Sequence, residues 1–221
     1  MAIPAISSYK MPKESNLPKN KVGWKVDPNK SVLLIHDMQQ YFIDYYEKDS
    51  SLVREMIANI KAIRKQCDEL GIPVVYTAQS GNQKPEDRAL LTDFWGTGLK
   101  DDPNITKVID ELAPGKADIV LKKWRYSAFK KSNFLEMMNE QDRDQLIICG
   151  VYAHIGCLMT AGEAFMSDIK PFFIADAVAD FTQSEHEMAI NYVAGRCGAV
   201  YSTAQIMDQL KREASAEAEL V

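Results

Sequence analysis

The stretch DQLIICGVYAHIGC, residues 144–157, decides the fold of this 221-residue chain. Its first half predicts a buried β-strand, because strands of a covered parallel sheet are near-continuous apolar runs. A turn between Gly150 and Gly156 follows, and a helical pattern begins directly behind it. Open α/β proteins place ligands and reacting groups at such turns, beyond the carboxyl end of a strand. This stretch therefore predicts a parallel sheet with a functional site at its edge.

Strand and helix patterns alternate on both sides of this stretch. Further strands are predicted at 31–38, 72–78, 118–123, 171–180 and 198–203, and helices at 51–70, 106–112, 133–141, 159–169, 184–197 and from 203 onward. Gly71 ends the first long helix as a C-cap, and an S-x-x-E capping box at Ser184 opens the helix at 184–197. The pattern predicts an α/β protein, with a three-layer α/β/α architecture and a six-stranded, mostly parallel sheet covered by helices on both faces.

Composition indicates an ordinary globular protein with one main domain. Hydrophobic residues make up 46% and charged residues 26% of the chain, which is typical of soluble domains. A net charge of −5 gives no sign of the excess positive charge with which proteins bind nucleic acid or an anionic membrane. No apolar run approaches the roughly 20 residues needed to cross a bilayer, and the N-terminus does not resemble a secretory signal.

Three regions are expected along the chain. Residues 1–30 predict an extended N-terminal arm, residues 31–212 one α/β domain, and residues 213–221 a polar C-terminal tail. The four cysteines show no metal-ligand or CxxC spacing. They therefore predict reduced thiols and a cytoplasmic protein.

Two charged side chains end predicted strands. Asp37 closes the first strand, where partial desolvation raises a carboxyl pKa and suits a general acid or base; a helix N-cap is an equally good interpretation. Lys123 ends the third strand and could orient a carboxylate or bind an anionic substrate, or it could be a solvated edge charge. His36 should point away from Asp37 and either pack in the core or support the site without lining it.

A long polar segment at residues 81–99 carries Arg88 and Trp95. Loops of this length in a compact domain are often lids or binding elements. Arg88 could form two parallel hydrogen bonds with a substrate carboxylate. That it is an ordinary surface arginine is an almost equally good interpretation. The run WRYSAF at 124–129 predicts a binding wall.

The motifs LLIHDMQQYF (33–42), KWRYSAF (123–129) and GVYAHIGC (150–157) together resemble the isochorismatase-like, or cysteine hydrolase, superfamily. They are most similar to the isochorismatases of catecholate siderophore biosynthesis. The resemblance implies an Asp–Lys–Cys triad in which Asp37 is the acid, Lys123 the lysine, and the cysteine position falls on Gly156 instead of Cys157. It also implies a cis peptide bond before Ala153. The isochorismatase branch replaces the nucleophile and hydrolyses a vinyl ether.

The resemblance implies hydrolysis of the enolpyruvyl ether of isochorismate to 2,3-dihydro-2,3-dihydroxybenzoate and pyruvate. Asp37 would protonate the ether without a covalent intermediate, with Lys123 orienting Asp37 or a substrate carboxylate. A nearby lysine lowers the pKa of an aspartate, so burial must outweigh it or the pair must share the proton. No metal or cofactor is expected. Further substrate-binding positions are Gln79, Arg88, Tyr152, Ala153 and Gly156, with walls from Phe42, Trp95 and Tyr126.

Two alternatives remain open. A thiol amidase similar to nicotinamidases could use Cys157, but that cysteine is one residue out of register, and YTAQSGNQ at 76–83 lacks their metal-binding D-x-H pattern. A non-catalytic scaffold for a siderophore synthetase is opposed by the intact Asp37 and Lys123.

Expected partners are the small-molecule substrate, further copies of the chain in a homodimer or larger assembly, and possible siderophore-synthetase proteins. No aryl carrier domain is expected, since the chain lacks a Gly-Leu-Asp-Ser motif. The resemblance does not separate isochorismate from 2-amino-2-deoxyisochorismate.

Overall fold

The computed structural model describes the backbone of residues 3–218 and the side chains of residues 3–212. Within this part of the chain, six parallel strands form one sheet in the order β3-β2-β1-β4-β5-β6. The strands are β1 (Ser31–His36), β2 (Val74–Ala78), β3 (Ile119–Lys122), β4 (Gln145–Val151), β5 (Lys170–Ala179) and β6 (Ala199–Tyr201). The predicted three-layer α/β/α architecture is confirmed.

Helices and short helical turns connect the strands. The helices are α1 (Gln40–Ile43), α2 (Ser51–Glu69), α3 (Pro85–Arg88), α4 (Leu91–Trp95), α5 (Pro103–Thr106), α6 (Phe134–Glu140), α7 (Leu158–Met166), α8 (Gln183–Arg196) and α9 (Thr203–Ala218). Helix α9 enters the segment 213–221 predicted to be a polar tail, of which residues 219–221 lie outside the described part. Among the described residues, no helix has the length and apolar character needed to span a membrane.

Alternation along the strands divides the core between the two faces of the sheet. In β1, Leu33 and Ile35 join an apolar cluster with α2 and α9, whereas Val32 and Leu34 join a second cluster with α6, α7 and α8. All four side chains are fully buried. Successive strand residues point to opposite faces, so one apolar run fills both layers.

The N-terminal arm packs against the domain. Ile6, Met11 and Val26 are buried in the cluster formed with α2 and α9. The backbone N–H of Ile6 donates to the carbonyl of Tyr45 at 2.7 Å, and that of Glu47 donates to Ile6 at 2.8 Å. The arm therefore pairs with the chain beyond β1.

The helix predicted at 106–112 is replaced by α5 and a 3-10 turn at Asp110–Leu112. The segment between them pairs with the chain after β1 instead. The N–H of Gln40 donates to the carbonyl of Lys107 at 2.9 Å, and the N–H of Ile109 donates to that of Met38 at 2.9 Å. This tertiary pairing uses backbone groups that a helix would have bonded within itself.

The capping box of α8 lies two residues earlier than predicted. The N-cap is Thr182, whose hydroxyl accepts from the N–H of Glu185 at 3.2 Å and donates to its carboxylate at 2.7 Å. Thr182 and Glu185 have the same spacing as Ser184 and Glu187, so the sequence contained two overlapping capping boxes.

Candidate active site

The sheet order changes direction between β1 and β4, which are neighbours. Such a switch point leaves a crevice beyond the carboxyl ends of the strands. Here it opens into a cavity. Most of the predicted site residues line this cavity, namely Asp37, Phe42, Gln79, Arg88, Trp95, Lys123, Tyr126, Tyr152 and Gly156.

Asp37 and Lys123 form a buried ion pair at the floor of the cavity. The Lys123 ammonium donates to Oδ2 of Asp37 at 2.8 Å, and the Thr77 hydroxyl donates to Oδ1 at 2.6 Å. The Asp37 N–H in turn donates to the Thr77 hydroxyl at 3.0 Å. Thr77 was not singled out in the sequence, because a threonine within a strand gives no signal of this role. Both carboxylate oxygens are therefore held in place.

The pKa of Asp37 is below its usual range, which corrects the expectation of a raised value. Burial alone would raise this pKa, but the neighbouring His36 and Lys123 and the hydrogen bond from Thr77 outweigh it. Burial lowers the pKa of His36 to about 4. Because that ring is neutral near pH 7, Lys123 supplies the positive charge. Asp37 is thus a carboxylate in the unliganded protein.

His36 lies behind the cavity floor and does not line the cavity, but its side chain does not point away from Asp37 as expected. Its fully buried ring has Nδ1 3.6 Å from Oδ2 of Asp37. The strand ends at His36, and Asp37 adopts a left-handed backbone conformation with φ of 49°. The strict alternation of a strand therefore does not apply to these two residues.

Gly156 lies against the His36 ring. A Cβ atom at this position would lie 2.1 Å from Cε1 of His36, so the structure leaves no room for a side chain. The adjacent Cys157 is fully buried in the cluster with α7 and α8. Burial raises the pKa of its thiol well above the ordinary value, and this opposes a reactive thiolate.

Arg88 is buried, with 4% of its surface exposed. Its Nε donates to the carbonyl of Gly96 at 2.5 Å. Among the described residues, no carboxylate lies within ion-pair distance of Arg88 or of Arg125, which also lines the cavity. Burial lowers the pKa of the Arg88 guanidinium. A buried cation without a counter-ion is costly unless a ligand supplies one, so the cavity favours anions.

Aromatic side chains wall the cavity. The Trp95 indole N–H donates to the Tyr126 hydroxyl at 2.8 Å, and the Tyr152 hydroxyl donates to the carbonyl of Phe42 at 2.9 Å. Phe181, which the sequence did not indicate as a site residue, packs on the Tyr152 ring with centroids 4.5 Å apart. Ile3 and Tyr41 also line the cavity and were not indicated by the sequence, whereas Arg125 belongs to the binding wall predicted from WRYSAF. Only the folding of the arm and of the segment after β1 brings Ile3 and Tyr41 here.

The structure corrects two details of the turn after β4. Ala153 does not line the cavity, because its side chain is buried in the cluster with α7 and α8. The cis peptide bond joins Val151 and Tyr152, one residue before the predicted position.

The rim of the site holds the histidine of the same turn. His154, Asp180 and Glu185 place potential metal ligands within 4.8 Å of one another. However, the Asp180 carboxylate already accepts from the backbone N–H and from Nδ1 of His154, each at 2.6 Å. This arrangement ties the turn to the end of β5.

A parallel sheet with a buried carboxylate–lysine pair and a cationic cavity at its switch point defines an α/β enzyme of the hydrolase type. The chain belongs to the isochorismatase family, since the family described as Isochorismatase domain matches residues 31–205.

Comparison with known proteins supports this membership. The chain is 61% identical to the isochorismatase of Bacillus subtilis (strain 168), over 96% of this chain and 68% of that protein. It is 51% identical to enterobactin synthase component B of Escherichia coli (strain K12), over 94% of this chain and 73% of that protein. A cysteine hydrolase from Pseudomonas syringae pv. phaseolicola 1448A shares the fold, with a TM-score of 0.79 at 20% identity over 89% of this chain and 98% of that one.

Proposed function

We propose that this protein hydrolyses the enolpyruvyl ether of isochorismate to 2,3-dihydro-2,3-dihydroxybenzoate and pyruvate, in siderophore biosynthesis. The observation that carries this proposal is the buried Asp37–Lys123 pair beside Arg88 and Arg125, in a cavity with no side chain at residue 156. The strong similarity to a protein named isochorismatase supports the choice of substrate.

The charges of the cavity match a dianion. The Asp37–Lys123 pair is neutral as a whole, so Arg88 and Arg125 leave the cavity two positive charges in excess. Isochorismate carries two carboxylates, one on the ring and one on the enolpyruvyl group. Planar guanidinium groups bind carboxylates with two parallel hydrogen bonds. Gln79 and Tyr152 complete the polar and aromatic lining.

Substrate binding changes the ionisation of Asp37. In the unliganded site Lys123 and Thr77 favour the carboxylate, and this opposes its use as an acid. The carboxylates of an entering dianion compete for Lys123 and repel the Asp37 charge, and exclusion of water destabilises that charge further. Asp37 therefore takes up a proton as the substrate binds, which supplies the general acid.

The reaction then proceeds without a nucleophile from the protein. The proton of Asp37 is transferred to the methylene carbon of the vinyl ether, and Lys123 stabilises the resulting Asp37 carboxylate. Water adds to the oxocarbenium carbon and returns a proton to the Asp37 carboxylate. The carbon–oxygen bond to the ring then breaks, the hemiketal hydroxyl proton passes to the leaving ring oxygen, and the products are pyruvate and the ring diol. No thiol is required at residue 156 for these steps.

Replacing Asp37 tests the proposal. Asp37→Asn keeps the size of the side chain but cannot donate this proton, so we expect kcat for pyruvate release from isochorismate to fall at least about 100-fold. The control is Asp142→Asn, which alters an exposed lysine–aspartate pair with Lys30 and should leave kcat unchanged. Near-normal turnover by Asp37→Asn would exclude the mechanism. Assaying pyruvate release by the unmodified protein and by Asp37→Asn with 2-amino-2-deoxyisochorismate as well compares the two candidate substrates.

The thiol amidase alternative is tested at Cys157. Because this thiol is buried and its pKa is raised, Cys157→Ala should keep its turnover of isochorismate, and neither protein should release ammonia from nicotinamide. Nicotinamide hydrolysis by the unmodified protein that is lost in a folded Cys157→Ala variant would favour the amidase.

We also propose a cytoplasmic location and a homo-oligomeric state, with siderophore-synthetase proteins as possible partners. The four cysteines are free and buried, as suits a reducing compartment. Several large apolar side chains on α4 and α7 are exposed, including Phe94 at 63% and Met166 at 76%, and such groups are frequent at interfaces. Sedimentation of the purified protein measures the oligomeric state.

A further inference from the structure

His36 lies between two glycines at the floor of the cavity. A Cβ atom at Gly150 would lie 2.2 Å from the carbonyl oxygen of His36, and one at Gly156 would lie 2.1 Å from Cε1 and 2.8 Å from Nε2 of its ring. Real Cβ atoms essentially never come within 3.0 Å of such neighbours. Both glycines are therefore needed for His36 to occupy this place, one against its backbone and one against its side chain.

The ring of His36 also joins three parts of the site. Its Nδ1 lies 2.9 Å from the carbonyl oxygen of Val151, at the end of β4, and its Nε2 lies 3.3 Å from that of Tyr126, in the segment after β3. A neutral imidazole has one N–H, and the shorter contact assigns it to Nδ1, which donates to Val151. The three parts that meet here carry Asp37, Gly156 and Lys123.

We propose that His36 is a positioning residue that sets the cavity floor at Gly156 relative to the Asp37–Lys123 pair. Since the ring fills the volume of any side chain at residue 156, the substrate packs against bare backbone at this point. His36 acts through Gly156 and the two carbonyl groups, and does not itself touch the substrate. The inference rests on the proposed function for the identity of that substrate, while the coupling between His36 and Gly156 follows from the packing alone.

A double-mutant cycle tests this coupling. His36→Asn places an amide N–H near the position of Nδ1, so that it can still donate to Val151, and removes the Cε1 and Nε2 atoms that crowd residue 156. Gly156→Ala adds the crowded methyl group. The control Gly162→Ala adds a methyl group where no atom lies within 4 Å, and it should leave kcat and KM unchanged.

We expect strong non-additivity in this cycle. Gly156→Ala alone should lower kcat about 10- to 100-fold, as expected for inserting a group into a filled site. His36→Asn alone should lower kcat about 10-fold with KM changed less than about 3-fold, because it shifts the floor but removes no substrate contact. The double variant should be no less active than His36→Asn. Circular dichroism gives the folded fraction by which each kcat is normalised, so that a loss of folded protein is not counted as a loss of positioning.

Two results would overturn the inference. One is a double variant whose loss in kcat is the product of the two single losses, which would mean that the residues act independently. The other is an unchanged kcat in folded His36→Asn, which would mean that the His36 ring only fills space in the core. If the unmodified protein releases no pyruvate from isochorismate, the proposed function fails separately. The coupling is then measured from the free energies of unfolding of the unmodified protein, the two single variants and the double variant. Non-additive changes in these free energies support the coupling, and additive changes contradict it.

Discussion

At the scale of single residues, the site depends on charges that the protein buries without full compensation. Asp37 and Lys123 compensate each other, with the ammonium 2.8 Å from the carboxylate. Among the described residues, Arg88 has only backbone carbonyl groups as hydrogen-bond acceptors, those of Gly96 and Trp95. A ligand carboxylate would complete its coordination, so this arginine contributes to binding more than to the stability of the unliganded protein.

Replacement of Arg88 by lysine tests this role. Lysine keeps the charge but loses the planar fork, so we expect Arg88→Lys to raise KM for isochorismate about 10-fold or more, with a smaller change in kcat. Steady-state pyruvate release measures both constants. Arg196→Lys is the control, because Arg196 lies on the exposed surface of α8. An unchanged KM in Arg88→Lys would remove this arginine from the binding site.

At the scale of elements, the segment containing α3 and α4 covers the cavity. It carries Arg88 and Trp95 into the site, while Leu90 and Phe94, which lie between them in the sequence, remain 76% and 63% exposed. The hydrogen bond from Trp95 to Tyr126 joins this segment to the chain after β3. The predicted polar loop at 81–99 is therefore partly helical and has one face turned into the site.

The hydrogen bond between Trp95 and Tyr126 can be removed from either side. Trp95→Phe and Tyr126→Phe each delete one partner, and we expect both to raise KM by a similar factor of about 3 to 10, as for the loss of one neutral hydrogen bond. The KM of the double variant should be no higher than the larger of the two single-variant values, because all three variants lose the same hydrogen bond. If the rise in KM of the double variant equalled the product of the two single rises, the two side chains would act independently of each other.

At the scale of the whole molecule, one ion pair links the active-site turn to β5 and makes stability depend on pH. Burial alone would lower the pKa of His154, but Asp180 and Glu185 raise it above the ordinary value of 6.5. The folded protein thus holds this proton more tightly than the unfolded chain. The resulting stabilisation is fully present below about pH 6.5 and is lost as the pH rises through the folded-state pKa.

His154→Gln isolates this effect. Glutamine cannot be protonated, so the difference in free energy of unfolding between the original protein and the variant should be larger at pH 6 than at pH 9. Urea unfolding at both values measures it. A difference that is equal at the two pH values, or larger at pH 9, would show that His154 is not protonated in the folded protein.

The sequence by itself determined the layers, the strands and the identity of about half of the cavity residues. Apolar runs such as that of β4 have no stable place except a covered parallel sheet, and the carboxyl ends of parallel strands meet at one edge. Asp37, Lys123 and the turn at 152–156 were therefore predicted to face one another before any contact was known. The sequence determined the helix bounds less exactly: of two overlapping capping boxes, the prediction took the one at Ser184, whereas α8 begins with the one at Thr182.

Only the tertiary structure decided what lies under Gly156 and how Asp37 is ionised. The position of the His36 ring depends on the left-handed conformation of Asp37 and on carbonyl groups at the end of β4 and in the segment after β3, none of which a local pattern encodes. The pKa of Asp37 is the balance between burial, the adjacent His36, and Lys123 and Thr77, which are distant in sequence. Periodicity reports which face of an element is apolar, whereas crowding and electrostatics depend on distances that exist only after the elements have packed.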